Sequence, residues 1–166
     1  MKNGIVIADS GPIFSLAVID KLGILNDLFN EVKIPRAVWD EISFDKTKPD
    51  YHKLAIFFSD KICEISGFND LTFVMDYGES EALILYQELH ADFLLIDDKK
   101  ARRIAENLDI KCIGIIGLLS IAKEKGLIEK LKPLFETLLH SKRFYSVDLL
   151  NSVLILKGEE KIVLTK

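Results

Sequence analysis

The sequence contains little of what marks secreted or membrane-spanning proteins. Its only cysteines among 166 residues, Cys63 and Cys112, lie far apart and lack the spacing of metal ligands. We interpret both as small buried side chains in a reducing compartment, which predicts a cytoplasmic protein without disulfides. No apolar run approaches the roughly 20 residues that cross a bilayer. The apolar run at residues 5–7 is also too short for a signal-peptide core.

The chain also lacks the motifs of several common enzyme classes. Its nine glycines form neither a phosphate-binding loop nor a dinucleotide-binding fingerprint. The three histidines, His52, His90 and His140, fall in or near ordinary amphipathic stretches, and no Ser/His/Asp or Cys/His arrangement accompanies them. The net charge of −4 argues against a protein covered in positive charge for nonspecific nucleic-acid binding. A local basic patch is still compatible with that net charge.

Short apolar segments alternate with helical patterns along the chain. Several of these segments are bounded by turn-forming residues, which is typical of strands buried on both faces. Amphipathic stretches lie between them, and residues 78–90 form the clearest one. The alternation predicts an α/β fold with a central, mainly parallel sheet flanked by helices. The predicted strands are residues 4–8, 32–34, 61–65, 93–96 and 111–114.

Two helix starts are predicted from capping residues. Ser10 is the expected N-cap of the first helix, directly after the first strand. Near the C-terminal end, residues 146–156 predict a helix capped by Ser146. The alternative for this last segment is a pairing of residues 153–156 with residues 161–164 across a glycine turn.

Carboxylates directly follow two of the predicted strands. Asp9 follows the first strand, and Asp97 and Asp98 follow the strand at residues 93–96. Because ligands of open parallel sheets bind beyond the carboxyl ends of the strands, we expect these acids to meet at one edge. Helix capping is the alternative interpretation for each of them taken singly.

Two further acidic segments are candidates for the same site. Glu79 and Glu81 begin the helix at residues 78–90, where acids also compensate the helix dipole. Glu41 lies in a helical pattern after Pro35, where an exposed acid is the ordinary outcome. Hard cations such as Mg²⁺ or Mn²⁺ prefer oxygen ligands, and two-metal phosphodiester hydrolysis needs several carboxylates.

A run of basic residues follows the paired aspartates. Lys99, Lys100, Arg102 and Arg103 are candidates for holding substrate phosphate, with Ser10 as a neighbouring hydroxyl. The alternative for these basic residues is a solvated helix face.

Four segments resemble, in order, the motifs of PIN domains. The third begins Gly-Glu-Ser-Glu-Ala, and together with Gly-Leu-Leu at residues 117–119 it resembles one branch of that family. The resemblance extends from residue 5 to about residue 158. It predicts a three-layer PIN-like fold in a single domain over residues 1–166, with a C-terminal helical extension at about 127–158. The four segments are residues 5–16, 32–42, 78–83 and 94–103.

The resemblance implies a Mg²⁺- or Mn²⁺-dependent endoribonuclease, often the toxin of a toxin–antitoxin pair. Position by position, the family's catalytic and metal-binding acids fall on four residues of this sequence. Glu79 and Asp97 stand beside the last two, and both are kept as candidate metal ligands. Ser10 falls on the position that supports the first acid. The four acids are Asp9, Glu41, Glu81 and Asp98.

RNA is the implied substrate, and an antitoxin protein and a second copy of the chain are the expected partners. The apolar segments 13–28 and 54–58 are candidate contact surfaces, although Phe57 and Phe58 fit the core better. One alternative is a non-catalytic PIN-like module that binds nucleic acid or a protein. Another, a phosphatase of small phosphate esters, requires an Asp-x-Asp motif, and Gly11 stands where its second aspartate belongs.

Overall fold

A computed structural model describes residues 2–141, 143 and 145–164. Within these residues the chain forms five strands and nine α-helices, with one turn of 3₁₀ helix at Leu71–Phe73. In chain order the elements are β1 Ile5–Ala8, α1 Ser10–Val18, α2 Gly23–Leu28, β2 Glu31–Pro35, α3 Arg36–Ser43, α4 Tyr51–Phe58, β3 Ile62–Cys63, α5 Tyr77–Glu88, β4 Phe93–Leu95, α6 Lys99–Asn107, β5 Cys112–Ile113, α7 Ile115–Glu124, α8 Lys132–His140 and α9 Val147–Leu156.

The five strands form one sheet in which every pairing is parallel. Their order is β3-β2-β1-β4-β5, so β1 lies in the middle. Ala8 of β1 pairs with Leu95 of β4, and the backbone N–H of Asp9 donates to the Leu95 carbonyl at 2.9 Å. The residues that follow these two strands are therefore neighbours at one edge of the sheet. The predicted α/β fold with a parallel sheet between helical layers is confirmed.

Apolar side chains cover both faces of the sheet. Val6 and Ala8 of β1 belong to a large cluster with α1, α2, α3, α7, α8 and α9, whereas Ile7 points into a second cluster with α5 and α6. This alternation is why the central strand is apolar throughout, as strands covered on both faces are. Each fully buried Leu or Ile stabilises the fold by about 1.5–3 kcal/mol. Packing on both faces thereby fixes the positions of the strand ends.

The helix starts differ in part from the prediction. Asp9, with extended backbone angles, is the N-cap of α1, and Ser10 is already helical, so the predicted cap at Ser10 is wrong by one residue. Ser146 does cap α9, and its hydroxyl accepts from the N–H of Leu149. The alternative C-terminal pairing is wrong because residues 153–156 lie within α9. The Ile162 backbone bonds instead with the Asn151 side chain.

Three other expectations can be compared with the structure. Cys63 and Cys112 are free thiols, but both are half-buried rather than buried. The reason is that they lie on β3 and β5, the two short outermost strands of the sheet. Phe58 is fully buried and packs edge-on against Phe57, as expected for core residues. In the described part of the chain, no helix has both the length and the apolar character needed to cross a membrane.

Candidate functional site

A cavity of about 600 Å³ opens where β1 and β4 end. Its walls come from the start of α1, the start of α5, the turn between β4 and α6, and the segment that precedes α9. The cavity thus lies at the edge of the sheet where the sequence placed the candidate acids. Among the described residues, those that line it with a negative charge are Asp9, Glu79, Asp97 and Asp98, and those with a positive charge are Lys99 and Arg143.

Asp9 is the most deeply placed of these carboxylates. Its side chain is buried, and its Oδ1 atom has no hydrogen-bond partner among the residues that the structure describes. Burial raises the pKa of the Asp9 carboxyl from its ordinary 3.8 to about 7, and the charges of Glu79 and Glu41 add to this rise. The backbone N–H groups of Ser10 and Gly11 act in the opposite direction. A buried oxygen without a partner, in a cavity of like charges, is a ready ligand for a cation.

Glu79 lies at the start of α5 and faces the cavity. Its carboxylate accepts from the backbone N–H of Asp76 at 3.4 Å, completing a capping box with that residue. Partial burial, followed by the charge of Asp98, raises its pKa. Glu79 therefore both compensates the dipole of α5, as considered from the sequence, and lines the cavity.

Glu81, which matched the third family acid by position, points elsewhere. It is buried, it accepts from the N–H of Ala37 at 3.0 Å, and it also accepts from the hydroxyl of Tyr77. It therefore caps the start of α3, and it is absent from the cavity lining. Residues two positions apart on a helix point about 200° apart, so Glu79 and Glu81 are placed on different faces.

Glu41 is exposed on α3, beside the start of α5. A Cβ atom added to Gly78 would come within 2.4 Å of the Glu41 Oε1 atom, so the glycine leaves room for this carboxylate. Glu41 lines a shallow neighbouring depression rather than the cavity itself, but its charge raises the pKa of Asp9. The approach of Glu41 thus explains why a glycine, rather than a residue with a side chain, begins the Gly-Glu-Ser-Glu-Ala segment.

Asp97 and Asp98 both line the cavity, and both also bind backbone N–H groups at helix starts. Asp98 caps α6 by accepting from the N–H of Ala101 at 2.8 Å. One oxygen of Asp97 accepts from the N–H of Ile115 at 2.8 Å. The capping interpretation is confirmed for Asp98, and the same carboxylate remains exposed to the cavity.

The helical geometry of α6 directs the four basic side chains to different faces of the helix. Lys99 lines the cavity, whereas Lys100 and Arg103 are exposed and are absent from its lining. Arg102 forms an ion pair with Glu106 at 3.0 Å and faces an adjoining cavity. Ser10 also lines the cavity, at the first turn of α1.

Arg143 and Tyr145 are site residues that the sequence analysis missed. The Arg143 Nη2 atom donates to the Gly11 carbonyl at 2.7 Å, and its Nε donates to the Ser15 hydroxyl at 3.1 Å. These contacts join residues 132 and 128 positions apart. No local spacing could have revealed them, because the partners of both side chains lie far away along the chain.

The Tyr145 hydroxyl joins two of the elements that line the cavity. It donates to Asp97 Oδ2 at 2.8 Å and lies 2.7 Å from the Ser15 hydroxyl, which is fully buried on α1. Burial and the negative charge of Asp97 raise the pKa of Tyr145, so the hydroxyl keeps its proton at neutral pH. Both oxygens of Asp97 are thereby held, one by Ile115 and one by Tyr145.

Replacing Tyr145 with Phe tests this connection. We expect the free energy of unfolding to fall by roughly 1–2 kcal/mol, because Asp97 and the buried Ser15 each lose a partner. Urea denaturation measures the change, and Tyr51→Phe on α4 is the matched loss of a hydroxyl outside the cavity. Equal stability losses in the two variants would contradict the role assigned to Tyr145.

The donor set of the cavity suits a hard divalent cation, which prefers oxygen ligands. Among the described residues, no three Asp, Glu, His or Cys side chains are grouped closely enough to hold an ion by themselves. Mg²⁺ commonly binds through one or two carboxylates and retains water or substrate phosphate in its other positions. Asp9, with its unbonded Oδ1, and Glu79 in the same cavity fit that requirement.

The family of the chain follows from a comparison with known proteins. No curated protein matches the chain. A family model described as a PIN domain matches residues 5–159. PIN domains are commonly nucleases, and they typically use divalent metals. The branch suggested by the Gly-Glu-Ser-Glu-Ala segment stays a prediction, because the match does not distinguish branches. The match covers nearly the whole chain, and the protein therefore belongs to the PIN-domain family.

Proposed function

We propose that the protein is a metal-dependent endoribonuclease that hydrolyses phosphodiester bonds in RNA in the cytoplasm, as the toxin of a toxin–antitoxin pair. The observation that carries the enzymatic part is Asp9, a buried carboxylate with a raised pKa and one oxygen that no described residue bonds. Such a carboxylate costs stability unless a cation compensates it. Family membership supports the nuclease class, and the RNA substrate and toxin role follow from the same resemblance.

Each acid has a distinct place in this proposal. Asp9 and Glu79 are the central ligands, Asp98 stands beside them, and Glu41 adds negative charge from α3. Asp97 acts mainly as a positioning residue, since both of its oxygens hold hydrogen bonds. Glu79 takes the role that sequence position assigned to Glu81, because Glu81 is bound to α3.

When bound, Mg²⁺ or Mn²⁺ would lower the pKa of a water molecule and offset charge on the leaving oxygen. The protein itself supplies orientation and charge. Lys99 and Arg143 bring positive charge to a cavity whose other charged described residues are acids, and an anionic RNA backbone needs that compensation. Arg143 is held by Gly11 and Ser15, so its guanidinium is already oriented when substrate arrives.

The direct test is cleavage of a single-stranded RNA by the purified protein. We expect cleavage with Mg²⁺ or Mn²⁺, its loss when EDTA is added, and its recovery when excess metal is restored. Product ends are mapped by gel electrophoresis. Two outcomes would contradict the proposal. One is cleavage that continues unchanged in EDTA, and the other is the failure of every divalent metal to support cleavage of several different RNAs.

The second candidate is a non-catalytic PIN-like module that binds nucleic acid or a protein partner. The lack of a preassembled group of three ligands among the described residues favours it. Calorimetric titration with Mn²⁺ distinguishes the two candidates. The nuclease binds the ion through Asp9, whereas absence of binding at millimolar Mn²⁺ supports the module. An antitoxin and a second copy of the chain remain the proposed protein partners.

A further inference from the structure

A second cavity, of about 550 Å³, adjoins the candidate site on the side of α9. The two cavities share Asp97, Lys99 and Tyr145, so they lie side by side. This volume falls within the roughly 300–1,000 Å³ of small-molecule sites. We call it the α9 cavity. The side chains and backbone that close it come from β5, α7 and α9, and they include Ile113, Gly117, Leu149 and Val153.

The α9 cavity is charged at one wall and largely apolar at the others. Lys99 and Arg102 bring positive charge to that wall, and Asp97 brings one negative charge. Arg102 is half-buried and pairs on one side with Glu106. Ile116 on α7 is buried, and Val153 on α9 is half-buried. Gly117 on α7 presents no side chain to this space. Such a combination fits a molecule with an anionic group and a compact apolar or aromatic part.

Tyr145 borders both the α9 cavity and the cavity that holds the acidic residues. Its hydroxyl is held at both Asp97 and Ser15, which restricts the position of the ring. A fixed aromatic ring on the wall of a cavity is a stacking surface for a nucleobase, independent of the identity of the base. The ring, the cations and the apolar walls all border the same space.

We propose that the α9 cavity binds one nucleotide of the substrate, next to the phosphodiester bond that is cut. The base occupies the apolar part against Tyr145, and the phosphate lies at Lys99 and Arg102. This inference rests on the proposed nuclease function, and it adds a base-binding subsite to the acidic site. The wall shared with the acidic cavity and the two cationic side chains favour a nucleotide over an apolar peptide segment.

The test uses adenosine 5′-monophosphate and the full-length protein in EDTA, so that it does not depend on cleavage. Amide resonances are followed by NMR during titration with the nucleotide and, separately, with inorganic phosphate. We expect the nucleotide to shift resonances of Ile113, Gly117 and Val153. Inorganic phosphate should shift only resonances near Lys99 and Arg102, with weaker affinity.

Leu149→Glu is the diagnostic substitution. Leu149 is half exposed at the cavity wall, and Glu at the third position of α9 forms a capping box with Ser146, so the fold is expected to persist. The new charge should weaken nucleotide binding by roughly 10-fold. Ile155→Glu makes the same charge change at an exposed α9 position outside the cavity, and it should leave the affinity unchanged.

Val153→Phe probes the apolar part, because it fills the cavity without adding charge. The affinity of this variant for the nucleotide should also fall by roughly 10-fold, the scale of a lost stacking contact, while thermal unfolding checks the fold.

Three results would each overturn the inference: resonance shifts confined to Ser10 and Gly11, equal affinity for phosphate and nucleotide, or equal nucleotide affinity in the Leu149→Glu and Ile155→Glu variants. Saturable binding of an apolar peptide in place of the nucleotide would overturn it too. Failure here with intact RNA cleavage overturns this inference and leaves the nuclease proposal standing. Nucleotide binding without cleavage overturns the nuclease proposal, and with it the placement beside a cut bond, and leaves only a nucleotide-binding cavity.

Discussion

Asp9→Asn is expected to lower metal-stimulated RNA cleavage by roughly 10³-fold, the scale of losing one well-placed electrostatic contact in an active site. The substitution preserves the shape of the side chain but removes the charge that would bind the ion. Initial rates in Mn²⁺ and in Mg²⁺ measure the effect. Asp27→Asn, at an exposed position of α2, is the control, and it should cleave as the unsubstituted protein does.

The same substitution should stabilise the protein in the absence of metal at alkaline pH. The pKa of Asp9 is about 7 in the folded protein, against an ordinary 3.8. Below pH 3.8 both states are protonated, and burial of the carboxyl carries no ionisation penalty. The penalty grows between pH 3.8 and pH 7 and is complete above pH 7. At pH 8 we therefore expect Asp9→Asn to raise the free energy of unfolding by roughly 2–4 kcal/mol.

Thermal unfolding in EDTA between pH 4 and pH 8 measures this pH dependence. The difference between Asp9→Asn and the unsubstituted protein should be large at pH 8 and small at pH 4. Saturating Mn²⁺ should stabilise the unsubstituted protein and have much less effect on the variant, since the ion binds only the folded state. A variant that cleaves normally, or a stability difference independent of pH, would contradict the role of Asp9.

Glu79→Gln and Glu81→Gln should separate the two acids of α5. Both substitutions keep the size of the side chain and one acceptor oxygen, and they remove only the charge. Because Glu79 lines the cavity, its variant should lose roughly 10²-fold or more in cleavage rate. Because Glu81 is bound to Ala37 and Tyr77, its variant should retain cleavage within a few-fold. The opposite ranking would restore Glu81 as the third metal ligand.

The corresponding alanine variants should separate the same residues by stability. Glu81→Ala leaves the N–H of Ala37 without its acceptor in a buried position, and it also removes the acceptor of Tyr77. We expect its free energy of unfolding to fall by roughly 2–3 kcal/mol. Glu79→Ala loses one arm of an exposed capping box, which costs about 1 kcal/mol or less. Urea denaturation of both variants provides the measurement.

Prediction from the sequence succeeded where the signal was local. The apolar run that became β1 and the acids directly after β1 and β4 were recognisable from their neighbours alone. The meeting of Asp9 with Asp97 and Asp98 followed from one rule of parallel sheets. The N-cap was misplaced by one residue because Asp9 and Ser10 are both good capping residues, and only the backbone angles distinguish them.

Position in a motif was a weaker guide for α5. Glu81 lies three positions after Gly78 and four before Leu85, and all three residues are buried. This helical spacing places Glu81 on the inward face, where its carboxylate meets the start of α3. Glu79 lies on another face and reaches the cavity. Helical periodicity therefore distinguishes Glu79 from Glu81, whereas position in the motif does not.

The sequence by itself determined that carboxylates gather at the ends of β1 and β4, since strand order and handedness of parallel connections leave few alternatives. Only the tertiary structure decided which acid of α5 faces them, and that Arg143 and Tyr145 complete the wall. The physical reason is distance along the chain. Strand ends and caps depend on adjacent residues, whereas the bonds from Arg143 to Gly11 and from Tyr145 to Asp97 join segments that meet only after the core has packed.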